Sequence, residues 1–217
     1  MILVPVKNLQ NAKQRLSPVL NVEERRALAE AMLRDVLHTL ASWEERPAVA
    51  VVTNDPLARE LAEEYAFDII QDRNNRSESD AISMATAMCL GWGADSTLVI
   101  PADIPLVSVA ELQQILAAAP ERGSVLVPSA DGRGSNAVYR KPGALFPLRF
   151  GNDSFLPHRA AAKATGHPCV ELRLAGIALD VDTPADLKQL LAEPGDSRAQ
   201  RLVREWHLAE NLLAAHP

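Results

Sequence analysis

The stretch Thr97-Leu-Val-Ile-Pro-Ala-Asp103-Ile-Pro-Leu106 begins with an uninterrupted apolar run and continues into a carboxylate flanked by prolines. An apolar run that does not alternate with polar residues is typical of a strand covered on both faces. We therefore predict a buried strand over residues 97–101. Five further runs of this type predict strands over residues 2–6, 48–53, 124–128, 137–139 and 176–180.

Longer stretches with helical spacing of apolar residues lie between these runs. They predict helices over residues 22–41, 56–66, 81–91, 109–119 and 184–192. Asp55 is expected to cap the second of these helices, with Pro56 at its first position. Strands that alternate with helices over most of a chain predict an α/β domain with a mainly parallel sheet.

The domain organisation follows from two changes in composition. Residues 140–166 are rich in Pro, Gly, Phe and Arg, and we predict an insertion or lid within a domain that spans residues 1–193. Residues 194–217 are predicted to form a tail whose amphipathic helix covers residues 198–215. Its apolar stripe is expected to pack on the domain or on a second subunit, which makes a homodimer a candidate assembly; the stripe comprises Leu202, Trp206, Ala209 and Leu213.

Composition excludes several classes of protein. No apolar run in the 217 residues approaches the ~20 residues that cross a bilayer, so no membrane association is expected. The apolar N-terminus has no basic region or cleavage site and is interpreted as a strand. Two cysteines are too few for a disulfide framework, so we expect a cytoplasmic protein. A net charge of −6 argues against nucleic-acid binding and leaves small-molecule substrates.

The loop after the first predicted strand carries three cations. Lys7, Lys13 and Arg15 lie within Pro5-Val-Lys-Asn-Leu-Gln-Asn-Ala-Lys-Gln-Arg-Leu16, at the carboxyl end of a strand, where α/β sheets bind ligands. They are interpreted as a cluster for a triphosphate, with a solvated basic loop as the alternative. The glycines of a Walker A loop are absent.

Strand-end carboxylates suggest a metal site. Asp103 follows the run 97–101, and Asp180 and Asp182 are two residues apart on a predicted strand, hence on one face. Asp103 and Asp180 would bind Mg²⁺ together with phosphate oxygens and water, with Asp182 as a secondary ligand. The alternative is that Asp103 caps the following turn. Thr183 and Asp186 are interpreted as a structural capping box.

Two glycine-containing segments could bind an anion. Asp131-Gly-Arg-Gly-Ser-Asn136 and Arg149-Phe-Gly-Asn-Asp-Ser-Phe-Leu-Pro-His158 combine free backbone N–H groups with hydroxyl and guanidinium donors. Such donors suit a phosphate or a carboxylate. Ordinary hairpin turns are an equally good interpretation of the glycines alone.

Taken together, these segments resemble the 2-phospho-L-lactate guanylyltransferase family of coenzyme F-420 biosynthesis, which includes members acting on phosphoenolpyruvate or 3-phospho-D-glycerate. The resemblance extends from Val4 to about Leu190 and also includes Asp180-Val-Asp-Thr-Pro-Ala-Asp-Leu187. It implies a three-layer, Rossmann-like nucleotidyltransferase (GT-A-like) fold with a mainly parallel mixed sheet. It further implies Mg²⁺-dependent transfer of GMP from GTP to the phosphate of a three-carbon phospho-acid, with release of pyrophosphate.

The resemblance assigns roles to residues of this chain. Lys13, Asp103 and Asp180 are expected to be catalytic, and the metal ligands are expected to be Asp103, Asp180 and Asp182. The expected nucleotide-binding residues are Val6, Lys7, Lys13, Arg15, Thr53, Ser79 and Asp80, and the expected acceptor-binding residues are Ser135, Gly151 and Ser154. Two departures stand out: Ser77-Glu-Ser79 replaces a frequent Gly-Leu-Asn, and Ser135 replaces a Thr but keeps the hydroxyl.

Guanine presents adjacent N–H donors, so we expect a carboxylate to accept from it. Asp80 is the first choice and Glu78 the second. Alternatively, Asp80 caps helix 81–91, and guanine is bound by backbone groups or by Thr53 and Asn54.

Two rival functions remain. In cytidylyl- or molybdopterin-type nucleotidyltransferases the first loop is glycine-rich, unlike residues 5–16 here. A non-catalytic binding module would not need both Asp103 and Asp180.

Overall fold

The structure is a computed structural model that describes residues 1–72, 77–151 and 153–206. Within these ranges, seven strands form one sheet in the order β3-β2-β1-β4-β6-β5-β7. The strands are β1 Ile2–Val6, β2 Val49–Thr53, β3 Asp68–Gln71, β4 Thr97–Val99, β5 Gly123–Pro128, β6 Ser135–Lys141 and β7 Cys169–Glu171. The strand β6 runs antiparallel to both of its neighbours, and the other pairs are parallel. The prediction of a mainly parallel mixed sheet is therefore confirmed.

Helices cover both faces of this sheet. They are α1 Val22–Ser42, α2 Pro56–Glu64, α3 Glu78–Gly91, α4 Val109–Ala117, α5 Phe155–Ala164, α6 Ala175–Ala178, α7 Pro184–Ala192 and α8 Arg198–Glu205. Along β1, Val4 packs in one core with Leu33 of α1, whereas Leu3 packs in a second core with Ile82 of α3. Successive side chains of a strand point to opposite faces of the sheet. Since both faces of β1 are covered by a core, every residue of β1 is apolar. The three-layer architecture is confirmed.

The prediction of a strand over residues 176–180 is wrong. Residues Ala175–Ala178 form the short helix α6, and Asp180 and Asp182 follow it outside any strand. The apolar character of the segment comes from Ile177, which is fully buried in the first core. A Cβ atom on Gly176 would lie 2.3 Å from Leu106 O, so the glycine lets this segment approach the loop after β4.

Two short strands, β3 and β7, do not appear among the predicted strands. Asp68 and Gln71 at the ends of β3 are exposed, and β7 has only half-buried and exposed residues. These are the two edge strands of the sheet. Each has a neighbouring strand on one side only, and its side chains are less buried than those of the inner strands. A search for continuous apolar runs therefore misses them.

Three predicted helix starts have different outcomes. Asp55 caps α2, and Thr183 and Asp186 form a reciprocal capping box at α7, as predicted. The third helix, α3, begins at Glu78, three residues earlier than expected, because Ser77 accepts a hydrogen bond from Asp80 N. The alternative in which Asp80 caps this helix is wrong.

The segment over residues 140–166 is packed into the domain. Arg140 is buried, and its guanidinium donates to Phe146 O at 2.6 Å and to the hydroxyls of Thr86 and Thr97. Phe146 and Phe155 belong to the second core, and α5 packs on β5 and β7. The segment is thus a wall of the domain that carries the residues of the second glycine-containing motif.

The described part of the tail packs on the domain. Helix α8 contacts α1 and α7, and it buries Ala199 and Val203, while Leu202 and Trp206 are half-buried in the same cluster. Ala209 and Leu213 lie outside the described residues. Within those residues, no helix combines the length and hydrophobicity needed to cross a membrane.

A buried carboxylate joins the tail to the domain. Asp35 of α1 accepts hydrogen bonds from the backbone N–H groups of Arg198 and Ala199, both at 2.9 Å. We expect Asp35→Ala to lower the free energy of unfolding by about 2–3 kcal/mol, because it leaves two N–H groups at the start of α8 without an acceptor. Urea denaturation would measure the loss.

Glu30→Ala on the same helix is the matched control. It removes a half-exposed ion pair with Arg34 and should cost about 0.5 kcal/mol or less. Equal losses in the two variants would contradict the role given to Asp35.

Candidate active site

A cavity of about 580 Å³ opens at one edge of the sheet. Asp103, from the loop after β4, lies on one side of it, and Ser135, the first residue of β6, also lines it. Since β6 is antiparallel to β4, its first residue meets the carboxyl ends of the parallel strands. Ligands of α/β sheets bind at this edge. Two further residues line the cavity: Glu78 at the start of α3 and Ser154 just before α5.

A buried lysine contacts two of the predicted metal ligands. Lys13 Nζ lies 2.6 Å from Asp103 Oδ2 and 2.7 Å from Asp182 Oδ1, and its side chain is only 7% exposed. Burial alone would lower the pKa of Lys13, but the two carboxylates outweigh burial and raise it above its ordinary value. Lys13 therefore stays charged, and it also holds the pKa of Asp182 below its usual range against the effect of burial.

The three predicted metal ligands do not surround one point. Within the described ranges, no group of three or more Asp, Glu, His or Cys side chains is placed to hold a metal. Lys13 Nζ lies between Asp103 and Asp182 and takes one oxygen of each.

Asp103 and Asp180 nevertheless fit a divalent cation. Asp103 Oδ1 is buried and has no hydrogen-bond partner among the described residues. Burial raises the pKa of Asp180, and the charge of Asp103 raises it further, whereas Asn136 opposes this by donating to Asp180 Oδ1 at 2.9 Å. Val181 N donates to Asp103 O, so the two loops are joined beside these carboxylates. Two carboxylates with oxygens available suit Mg²⁺, which completes its shell with phosphate and water.

Glu78, and not Asp80, lines the cavity. Burial raises the pKa of Glu78 to about 7, and the nearby charge of Asp103 adds to this. Asp80 is exposed on the first turn of α3. Ser79 Oγ accepts a hydrogen bond from Phe150 N at 2.9 Å, which ties α3 to the segment that carries Gly151. The early start of α3 decides which of the two carboxylates faces the site.

The predicted acceptor residues lie together. Ser135, Gly151 and Ser154 all line the cavity. Ser135 N donates to Ser154 Oγ at 3.1 Å, and Ser135 Oγ lies 2.9 Å from His158 Nδ1. Burial lowers the pKa of His158 to about 4, with a smaller contribution from the charge of Arg140, so the ring is neutral at physiological pH.

Four predicted nucleotide-binding residues lie away from the cavity walls or at their margin. Val6 and Thr53 are buried at the ends of β1 and β2, and the Thr53 hydroxyl accepts from Asp55 N. Lys7 Nζ forms an ion pair with Asp72 at 2.9 Å. Arg15 lines the cavity, and its Nη1 lies 3.8 Å from Asp182 Oδ2. Lys13 and Arg15 thus share a carboxylate partner, whereas Lys7 contacts a different one.

Sequence reasoning assigned no role to Asn136 or His158. Asn136 Nδ2 donates to Ile177 O, Ala178 O and Asp180 Oδ1, and this fixes the segment that carries Asp180. His158 contacts Ser135 Oγ and Arg149 N. Both residues belong to the two glycine-containing segments, and this is the signal that the sequence offers. Their partners are distant along the chain, so spacing could not reveal their roles.

Comparisons with known proteins agree with this geometry. The family described as "Guanylyl transferase CofC like" matches residues 1–211. Phosphoenolpyruvate guanylyltransferase from Sphaerobacter thermophilus is 37% identical over 189 residues, which cover 87% of this chain and 90% of the relative. 2-phospho-L-lactate guanylyltransferase from Methanothermobacter thermautotrophicus is 32% identical over 203 residues, which cover 94% of this chain and 89% of the relative.

A solved structure shows the same fold. A protein from Desulfovibrio desulfuricans G20, assigned as a nucleotide-diphospho-sugar transferase, has a TM-score of 0.78 at 19% identity, over 98% of this chain and 96% of that one. The expected nucleotidyltransferase fold is confirmed.

The raised pKa of Glu78 predicts a pH dependence of stability in the metal-free protein. Unfolded glutamate ionises near pH 4.5, whereas Glu78 in the folded protein keeps its proton until about pH 7. The stability that it contributes is therefore complete below pH 4.5 and declines as the pH rises to 7. Relative to Glu78→Gln, we expect the wild-type protein to lose about 1–2 kcal/mol of unfolding free energy between pH 5 and 7.5, allowing for partial screening by solvent.

Urea titrations in the presence of a chelator would measure this difference. Glu60→Gln, which removes an exposed carboxylate on α2, reports the effect of losing one charge alone. A wild-type protein that gains stability relative to Glu78→Gln as the pH rises, or a difference that does not change with pH, would contradict the prediction.

Proposed function

This chain belongs to the family of CofC-like guanylyl transferases and is therefore a nucleotidyltransferase; from that premise we propose that it transfers GMP from GTP to the phosphate of a three-carbon phospho-acid, releasing pyrophosphate. The acceptor would be phosphoenolpyruvate, 2-phospho-L-lactate or 3-phospho-D-glycerate, and the product would serve coenzyme F-420 biosynthesis. The relatives named above support the first two acceptors.

One observation carries this proposal: a single cavity joins a carboxylate wall to a hydroxyl wall. Asp103 and Asp180 lie on the first, and Ser135 and Ser154 lie on the second. A transferase of this kind needs a place for polyphosphate and its cation beside a place for a small anion. Asn136 connects the two walls, because it follows Ser135 directly and donates to Asp180.

The proposed chemistry needs no general base. A phosphate monoester has a second pKa of about 6, so the acceptor's phosphate oxygen is already ionised at neutral pH. That oxygen attacks the α-phosphorus of GTP; the new O–P bond forms as the bond to pyrophosphate breaks, and the electron pair leaves with pyrophosphate. Catalysis then consists of positioning and charge stabilisation.

Each charged residue has a separate task in this proposal. Asp103 and Asp180 would hold Mg²⁺, which, when bound, neutralises charge on the reacting phosphates and orients them. Lys13 is buried against Asp103 and stays charged, so it would offset the negative charge that develops on pyrophosphate. Arg15, more exposed at the cavity margin, would contact the outer phosphates.

The acceptor would bind through its carboxylate at the hydroxyl wall. Ser135 and Ser154 supply hydroxyl donors, and Gly151 adds an open backbone at φ +126°. Among the carboxylates considered for guanine, Glu78 is favoured because it lines the cavity, whereas Asp80 is exposed. An unprotonated Glu78 would accept from the adjacent N–H groups of guanine.

A competition assay tests the function. The protein is incubated with GTP, Mg²⁺ and equal amounts of the three acids, and the products are resolved by mass spectrometry. The proposal requires one guanylylated acid to accumulate together with an equimolar amount of pyrophosphate. Release of GDP and phosphate, or no product with any of the acids, would overturn it.

We predict that Asp103→Asn and Asp180→Asn each reduce kcat by at least about a hundredfold while the protein stays folded, because each loses a charged ligand for the cation. Pyrophosphate release at saturating GTP measures the effect, and circular dichroism checks the fold. Asp95→Asn is the control, since Asp95 is exposed, and its carboxylate contacts Lys141 and the hydroxyl of the adjacent Ser96. Wild-type turnover in either site variant would exclude this pair as the metal site.

We also predict that Lys13→Ala lowers kcat/KM for GTP by about 10- to 100-fold and changes the KM of the acceptor little, since a hydrogen bond to a charged group contributes about 1.5–3 kcal/mol. Initial rates with each substrate varied in turn separate the two effects. Lys13→Arg keeps the charge beside Asp103 and Asp182 and should recover part of the loss. An equal effect on both substrates would place Lys13 elsewhere in the reaction.

A further inference from the structure

His158 joins the start of α5 to two other segments. The residue is 1% exposed, and its two ring nitrogens have different partners. Nε2 accepts a hydrogen bond from Arg149 N at 2.8 Å, and Nδ1 lies 2.9 Å from Ser135 Oγ. The ring thus lies between a loop of the cavity wall and a residue that faces the cavity.

These contacts fix the position of the ring proton. A backbone N–H group can only donate, so Nε2 must be unprotonated in order to accept from Arg149. A neutral imidazole carries one proton, which must then be on Nδ1. Nδ1 therefore donates to Ser135 Oγ, and the hydroxyl oxygen accepts.

The direction of this bond determines what the serine can do. With Nδ1 protonated, the hydroxyl proton of Ser135 cannot point at the histidine. Within residues 1–72, 77–151 and 153–206, no acceptor side chain or carbonyl forms a hydrogen bond with that hydroxyl. Ser135 lines the cavity, so its proton is available to a ligand there.

Ser154 is arranged in the same way. Its Oγ accepts from Ser135 N at 3.1 Å, and no acceptor in the described part of the chain takes its hydroxyl proton, which is therefore also available to a ligand. The oxygen of each of these two neighbouring hydroxyls accepts a hydrogen bond from the protein, so each hydroxyl proton can be donated to a ligand in the cavity. Such a pair suits a carboxylate, whose oxygens only accept.

We propose that His158 is a positioning residue: its Nδ1–H tautomer, set by Arg149 N, orients the Ser135 hydroxyl as a donor to the acceptor's carboxylate. The proposal rests on the proposed function for the identity of the ligand. Its geometric part concerns the protein alone. His158 itself does not line the cavity.

The surroundings of the ring keep this arrangement constant over the pH range of an assay. His158 packs edge-on against Phe150, with ring centroids 5.0 Å apart. Burial and the charge of Arg140 lower the pKa of His158 to about 4, so the ring does not become doubly protonated near neutral pH. A charged ring would lose the bond from Arg149 N.

Two amide substitutions separate the two hydrogen bonds. The amide of Asn lies near the position of Nδ1, and that of Gln lies near Nε2, so His158→Asn keeps a donor for Ser135 and His158→Gln keeps an acceptor for Arg149. We expect His158→Gln to raise the KM of the phospho-acid about tenfold with an unchanged KM for GTP. His158→Asn should stay within about threefold of the wild-type value.

A double-mutant cycle adds a control. In the Ser135→Ala background, His158→Gln should have no further effect on the KM of the acceptor, because the hydroxyl that it orients is gone. The opposite pattern, in which His158→Gln is active and His158→Asn is impaired, would show that the ring only anchors Arg149. Equal losses in the two variants, or no loss in either, would also overturn the proposal.

The tautomer can be measured without substrate. In ¹⁵N-detected NMR of the wild-type protein at pH 7.5, the chemical shifts of the two ring nitrogens distinguish Nδ1–H from Nε2–H. We expect Nδ1–H for His158, assigned by its loss in His158→Gln. An Nε2–H tautomer would overturn the inference even in a fully active enzyme. Absence of transfer to any acid, together with an Nδ1–H tautomer, would overturn the proposed function and leave the orientation of Ser135 standing.

Discussion

A buried ammonium group holds the candidate site together. Lys13 Nζ contacts Asp103 and Asp182, and these three residues come from the loop after β1, the loop after β4 and the segment after α6. Removing an ion from water costs several kcal/mol, and contact with an opposite charge offsets that cost. The contacts of Lys13 therefore bring three segments that are distant along the chain to one point, and the cavity lies beside them. Asp180, which Lys13 does not contact, is held instead by Asn136.

The antiparallel strand β6 explains how the second wall reaches the same point. Because β6 runs against β4 and β5, its first residues, Ser135 and Asn136, lie at the edge where the parallel strands end. Asn136 fixes Asp180, while Ser135 meets Ser154 and His158. The residue that holds Asp180 and a residue proposed for the acid are thus neighbours on one strand. A displacement of one wall would move the other.

The sequence predicted the parts of this arrangement that depend on local patterns. Continuous apolar runs located the inner strands, and the rule that carboxylates at strand ends form sites selected Asp103. Asp180 was selected for a wrong reason, since no strand precedes it, yet it lines the cavity. The predicted start of α3 was three residues late, which favoured Asp80 over Glu78. Asn136 and His158 act through partners 9 to 44 residues away, which no local pattern encodes.

In the proposed reaction, the acceptor's phosphate oxygen attacks the α-phosphorus of GTP. Isotope transfer tests it most directly: the phospho-acid is labelled with ¹⁸O in its phosphate group and converted with unlabelled GTP and Mg²⁺. If this oxygen attacks, the guanylylated product keeps all of the label and pyrophosphate carries none. Label in pyrophosphate, or loss of label from the product, would contradict it.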